Sequence, residues 1–121
     1  MNTKSFIDAL NSGHGDIEEL APDMWTVGPH MVGYDANANF LTVYAVHDIP
    51  LTDQDEQLIA TVLHHMNRKY PATKTTIVNG HVVIAHETYT SSVADFDSRF
   101  KLIEMALLQT YQGLLRLLGV Q

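Results

Sequence analysis

Asn79 and Gly80 separate two runs that both read as strands, Thr73 to Val78 and His81 to Tyr89. A two-residue type I′ turn needs positive φ at both central positions, and Asn followed by Gly accepts this with the least strain. The pair predicts a tight antiparallel hairpin with Val78 opposite His81 and Ile77 opposite Val82. Side chains alternate along a strand, so Thr75, Ile77, Val82, Ile84 and His86 share one face, and Thr76, Val78, His81, Val83 and Ala85 share the other. The first face is the one expected to receive helices.

Helical patterns flank the hairpin. Upstream, Thr52 or Asp53 caps a helix running from about Asp53 to Lys69, with Asp55 and Glu56 three positions on, in capping-box spacing. Leu58, Ile59, Val62, Leu63 and Met66 form its apolar stripe, and Pro71 disfavours helical geometry at Tyr70. Downstream, Phe96, Phe100, Ile103, Leu107, Leu114 and Leu118 recur along one side of a helix of about seven turns. Near the start, Phe6, Ile7 and Leu10 suit a short helix ended by Asn11-Ser12-Gly13, followed by a linker from His14 to Pro22. Met24 to Val27 and His30 to Tyr34 read as short strands broken at Gly28-Pro29, because proline offers no amide to a ladder. Asp35 to Asn39 is turn-rich, and Phe40 to His47 is a stronger strand. The order is α-β-β-β-α-β-β-α. Strand and helix blocks that separate in this way favour an α+β fold with an antiparallel sheet over a βαβ dinucleotide fold.

The length of 121 residues suits one domain, 1–121, and 45% apolar with 17% charged residues is enough to bury a core. Seven basic against fourteen acidic residues leave a formal charge of -7, which repels a phosphate backbone and argues against nucleic acid as a partner. Without cysteine there is no disulfide, thiolate nucleophile or thiolate metal site. The first residues lack the apolar run of a secretory signal, and no stretch has the ~20 apolar residues of a membrane span. Cytoplasm, with no membrane partner, is the resulting expectation.

This layout, together with Leu58 to Met66 ending in Met66-Asn67, the hairpin at Asn79-Gly80 and the long helix beginning near Asp95-Phe96, resembles the YbjN-like relatives of type III secretion chaperones. The resemblance spans Trp25 to Leu118 and carries no catalytic motif. It implies a small, acidic, often dimeric protein that binds segments of other proteins and catalyses nothing, so neither an enzyme activity nor a cofactor is expected. It supplies no residue-level binding motif.

Candidate site residues must then come from the chain itself. Seven histidines, at 14, 30, 47, 64, 65, 81 and 86, invite a metal or small-molecule reading. Spacing works against a local site: His64 and His65 diverge by about 100° on their helix, and His86 and Glu87 face opposite sides of a strand. No metal site is therefore expected. Gly13-His14-Gly15 lacks the remaining positions of a phosphate loop, Asp95 and Asp97 suit a helix start, and Ser91-Ser92 has no nucleophile elbow around it. Trp25, Met31, Tyr34 and Tyr44 either line a peptide groove or fill the core of the sheet. On the long helix, Leu108 and Leu115 lie about 100 to 120° from the main stripe and Met105 lies opposite it. They form either a homodimer interface or the seat of the N-terminal helix. The leading expectation is a peptide-binding interaction module. The rival is a protein that collects histidines by folding to hold a small molecule or metal. An open apolar groove with uncovered strand edges would favour the first, and a concave pocket joining His47, His81 or His86 to a carboxylate would favour the second.

Overall fold

In the computed structural model, which describes residues 17–49, 56–90 and 96–119 together with Ser5 and Asp8, Asn79 and Gly80 have φ of 52° and 81°. They close the expected hairpin between β5 (Lys74–Val78) and β6 (His81–Tyr89), with Ile77 opposite Val82 and Val78 opposite His81. Four strands precede them: β1 (Ile17–Ala21), β2 (Met24–Val27), β3 (His30–Asp35) and β4 (Phe40–His47). The six form one antiparallel sheet in the order β1-β2-β3-β4-β6-β5. Two helices, α1 (Glu56–Lys69) and α2 (Phe96–Leu118), complete the described elements of an α+β fold. Of the N-terminal helix only Ser5 and Asp8 are described, and both are helical. Gly13-His14-Gly15, the cap at Thr52 to Asp55, Ser91-Ser92 and the side chains of Asp95 and Asp97 lie outside the described residues.

One expectation is corrected. The stretch from His14 to Pro22 is not linker throughout: Ile17–Ala21 pairs with β2 from Ile17↔Val27 to Ala21↔Met24, with an irregularity after Glu19. An edge strand needs only backbone pairing, and charged residues such as Glu18 and Glu19 are at home there. Its burial shows no inward alternation, which is why it carries no strand pattern. Gly28-Pro29 is a two-residue hairpin turn between Val27 and His30, with Gly28 at φ 58°. In the turn from Ala36 to Asn39, the Asp35 carboxylate accepts hydrogen bonds from the amides of Asn37 at 2.9 Å and Ala38 at 3.3 Å.

The helices and the core lie on one face of the sheet. Trp25, Val27, Val32, Tyr34, Leu41, Val43, Val82 and Ile84 alternate inward from the strands. Val62 and Met66 of α1 and Phe100, Ile103, Leu107 and Leu114 of α2 close over them. Three contacts fix the helices. Thr73 Oγ1 and Thr110 Oγ1 share a buried hydrogen bond of 2.7 Å. Gly113 is buried where a Cβ would collide with the ring and hydroxyl of Tyr70. The Asn67 side chain accepts from the Thr75 amide at 2.7 Å and donates to the Thr75 carbonyl at 3.1 Å. Asn67 thus pairs with Thr75 as a neighbouring strand would, and α1 clamps the outer edge of β5.

Candidate functional site

The alternation that buries Val32 and Tyr34 also turns His30 inward, and the alternation of Val43 and Ala45 does the same for His47. Extending the Met31↔Tyr44 register by one residue sets His30 beside Ala45, two residues from His47 on the same face. Along α2, Glu104, Leu108 and Tyr111 project from the flank of the buried stripe toward these strand ends. Between them lies a cleft of about 420 Å³, walled by Pro29, Ala45, Val46, Leu107 and Leu108 and carrying His30, His47, Glu104 and Tyr111 as its polar groups.

Its interior geometry is specific. The His47 ring stacks on Tyr111 with centroids 3.7 Å apart and planes 9° from parallel. His30 meets Phe100 edge to face. His30 Nδ1 stands 3.6 Å from a Glu104 carboxylate oxygen, beyond hydrogen-bond length. Both His30 Nδ1 and His47 Nε2 are buried and have no hydrogen-bond partner. Burial lowers the pKa of His30, partly countered by the Glu104 carboxylate. Burial also lowers that of His47, helped by neighbouring His30. Both rings are therefore neutral at pH 7, each with one donor and one acceptor nitrogen. Glu104 is the one full charge among the described lining residues.

The remaining described histidines do not join this cleft. His81 Nδ1 lies 2.7 Å from an Asp48 carboxylate oxygen on an exposed surface. His86 Nδ1 is 2.7 Å from the Ala72 carbonyl oxygen. His64 and His65 are exposed on α1 with Thr61, Arg68 and Lys69 around an open hollow. Among the described residues no group of three or more His, Asp or Glu side chains is arranged to hold a metal ion.

The aromatic and methionine candidates divide between the two sides of the sheet. Trp25 and Tyr34 are 4% and 1% exposed within the core, and the Tyr34 hydroxyl donates to the Thr90 carbonyl at 3.3 Å. Met31 and Tyr44 are cross-strand partners on the opposite face, which neither α1 nor α2 covers, both half-buried. On that face Thr26 and Ala85 flank the pair, and Gly33 and Thr42 lie beside it as a lower step. Among the described residues, a Cβ built on Gly33 would make an ordinary contact with the Asp23 carbonyl oxygen at 3.8 Å. Met105 and Leu108 are exposed, Leu115 is half-buried, and Leu102 adds another exposed apolar group to α2. No helix among the described residues is long and apolar enough to cross a membrane.

Sequence reasoning counts His30 among the histidines and asks for a pocket joining His47, His81 or His86 to a carboxylate. The cleft meets that condition through His47 and Glu104, a carboxylate that was not singled out. The strand signal was present, since His30 stands two residues from Val32 and four from Tyr34. Glu104 lies one turn before Leu108, on the flank already marked as lying outside the main stripe.

No family model and no curated protein matches this chain. Its structure is similar to that of YbjN from E. coli, assigned a candidate role in transcription regulation, at TM-score 0.64 and 11% identity over 93% of each chain. It is also similar to a chain of the ExsC–ExsE complex, at TM-score 0.55 and 12% identity over 90% of each chain. The likeness is one of fold, with little shared sequence. The chain has a YbjN-like fold, the fold of type III secretion chaperone-like proteins.

Proposed function

We propose that this protein is a non-enzymatic interaction module that holds a peptide segment of a partner protein against the face of its sheet opposite α1 and α2, with Met31 and Tyr44 as the central contacts. The observation that carries this reading is the half-buried Met31–Tyr44 pair beside the step at Gly33 and Thr42, on a face that no described helix covers. Such a surface offers an apolar ridge with a lower step beside it, suited to alternate side chains of an extended peptide. The similarity to a chain that occurs in a complex, ExsC–ExsE, supports the same reading. Trp25 and Tyr34 serve this site from behind by stiffening the strands.

Capture from the native cell, with identification of the co-purifying polypeptide, tests the proposal when paired with two variants. Gly33→Leu raises a bulky side chain from the step beside the pair, where the nearest described atom to the new Cβ is 3.8 Å away, and Met31→Asp puts a charge on the ridge. Both should keep a cooperative unfolding transition and lose the partner. Undiminished capture by the two folded variants would refute the reading. The exposed side of α2 at Leu102 and Met105, continuing toward Leu108 and Leu115, is where a second copy would pack. Leu102→Glu with Met105→Glu should then turn a dimer into a folded monomer in sedimentation, and a monomeric parent protein would dismiss that interface.

A further inference from the structure

The cleft of His30, His47 and Glu104 does no packing work that requires this chemistry. Two buried ring nitrogens without partners are costly in a fold that could have used leucine. Their placement decides what they suit. Glu104 is the single full charge among the described lining residues, which include no lysine or arginine to neutralise it. A carboxylate or phosphate entering the cleft would be repelled. A cation would meet the Glu104 carboxylate first. Neutral His30 and His47 can each turn an acceptor toward it by choice of tautomer. The walls of Pro29, Ala45, Leu107 and Leu108 match an aliphatic stem behind such a head group. At about 420 Å³ the cleft lies in the size range of ligand pockets and has room for a long basic side chain.

We infer that this cleft binds an alkylguanidinium or alkylammonium group, carried either by a small molecule or by a basic side chain that reaches the helix-covered side of the sheet. The preference for a cation does not rest on the peptide-binding reading, whose surface is the other face of the sheet. A planar guanidinium suits the site better than an ammonium, because its fork can reach Glu104 and an imidazole acceptor together.

The test uses the intact chain, with N-acetyl-arginine amide as probe and the isosteric, uncharged N-acetyl-citrulline amide as control. At pH 7.5, well above the range in which buried histidines protonate, the arginine probe should cause saturable shifts in the ring resonances of His30 and His47. Citrulline should bind at least about tenfold more weakly, and Glu104→Gln should abolish the difference between the two probes. Glu104→Asp, which retains the charge, should preserve it. Equal responses to both probes, no saturable response, or an undiminished preference in Glu104→Gln would overturn the inference. Stoichiometric zinc at the same two rings that excludes the arginine probe would also overturn it, in favour of a metal site. If arginine binds and Glu104→Gln weakens partner capture, the cation belongs to the partner; if capture by Glu104→Gln is undiminished, it belongs to a small molecule, and the cleft inference stands in either case. If Gly33→Leu and Met31→Asp abolish capture and arginine does not bind, the cleft inference fails alone.

Discussion

Replacing Gly113 by Ala sets two effects against each other. In a helix interior alanine is favoured over glycine by about 1 kcal/mol, so on propensity alone the change should stabilise α2. The new methyl group, however, would occupy the space of the Tyr70 hydroxyl and of two carbons of its ring. The ring must then retreat by about an ångström or more, away from the core against which it packs. Overpacking of this kind costs about 1 to 3 kcal/mol, and overlap with three atoms of a stiff side chain belongs at the upper end. Subtracting the propensity gain leaves a net loss of about 1 to 2 kcal/mol, or a fall in Tm of roughly 4 to 8 °C for a domain of this size. Urea denaturation of Gly113→Ala, Tyr70→Leu and the double variant measures the coupling directly. With Tyr70 gone the alanine should become stabilising by about 1 kcal/mol, giving a coupling near 2 to 3 kcal/mol. If Gly113→Ala alone raises the midpoint, or if the two substitutions add, the account of α1 docking through Tyr70 is wrong.

Three further outcomes are expected. Gly80→Val forces a β-branched residue to φ near 81° and should cost about 1 kcal/mol or more; an unchanged denaturant midpoint would count against the strained turn. Asn67→Leu removes both hydrogen bonds to Thr75 and should lower stability by about 1 to 3 kcal/mol while promoting concentration-dependent association through the β5 edge, readable by light scattering. His30 and His47 have pKa values lower in the folded chain than their ordinary value, so the unfolded chain binds more protons as pH falls through the usual histidine range. Stability should be flat above that range and decline below about pH 6.5, by at most about 1.4 kcal/mol per pH unit for each ring. His30→Gln with His47→Gln should remove much of that slope, and an unaltered slope would refute the linkage.

Legibility in the sequence followed the strength of local rules. The Asn79-Gly80 turn, the inward alternation of Val82 and Ile84 and the stripe from Phe100 to Leu114 each depend on near neighbours, and they appear in the structure with the expected register and burial. β1 was illegible because backbone pairing and the single side chain of Ile17 place it in the sheet, so Ile17–Ala21 shows no apolar period. For the candidate residues the alternation rule was available and went unused. Met31 and Tyr34 are three residues apart, so they had to face opposite sides of the sheet. The cleft could not be read from spacing, since His30, His47 and Glu104 meet only through the pairing of β3 with β4 and the angle at which α2 crosses them. Asn67 was visible as the residue after Met66, but nothing local marks a side chain that completes a sheet edge.

The strand order has a kinetic consequence. Every neighbouring pair in the described sheet is a hairpin of consecutive strands except one, β4 with β6. The two sides of that seam, β1 to β4 and β5 to β6, can each zip from short turns within microseconds. The seam itself must wait for the chain between His47 and His81 to close, with α1 inside the loop, and this closure carries the entropic cost that sets the pace. The register from Phe40↔Tyr89 to His47↔Val82 joins the first four strands to the last two in one long step. Until it forms, the inner edges of β4 and β6 are both unsatisfied, making this seam the moment at which one chain is most open to pairing with another.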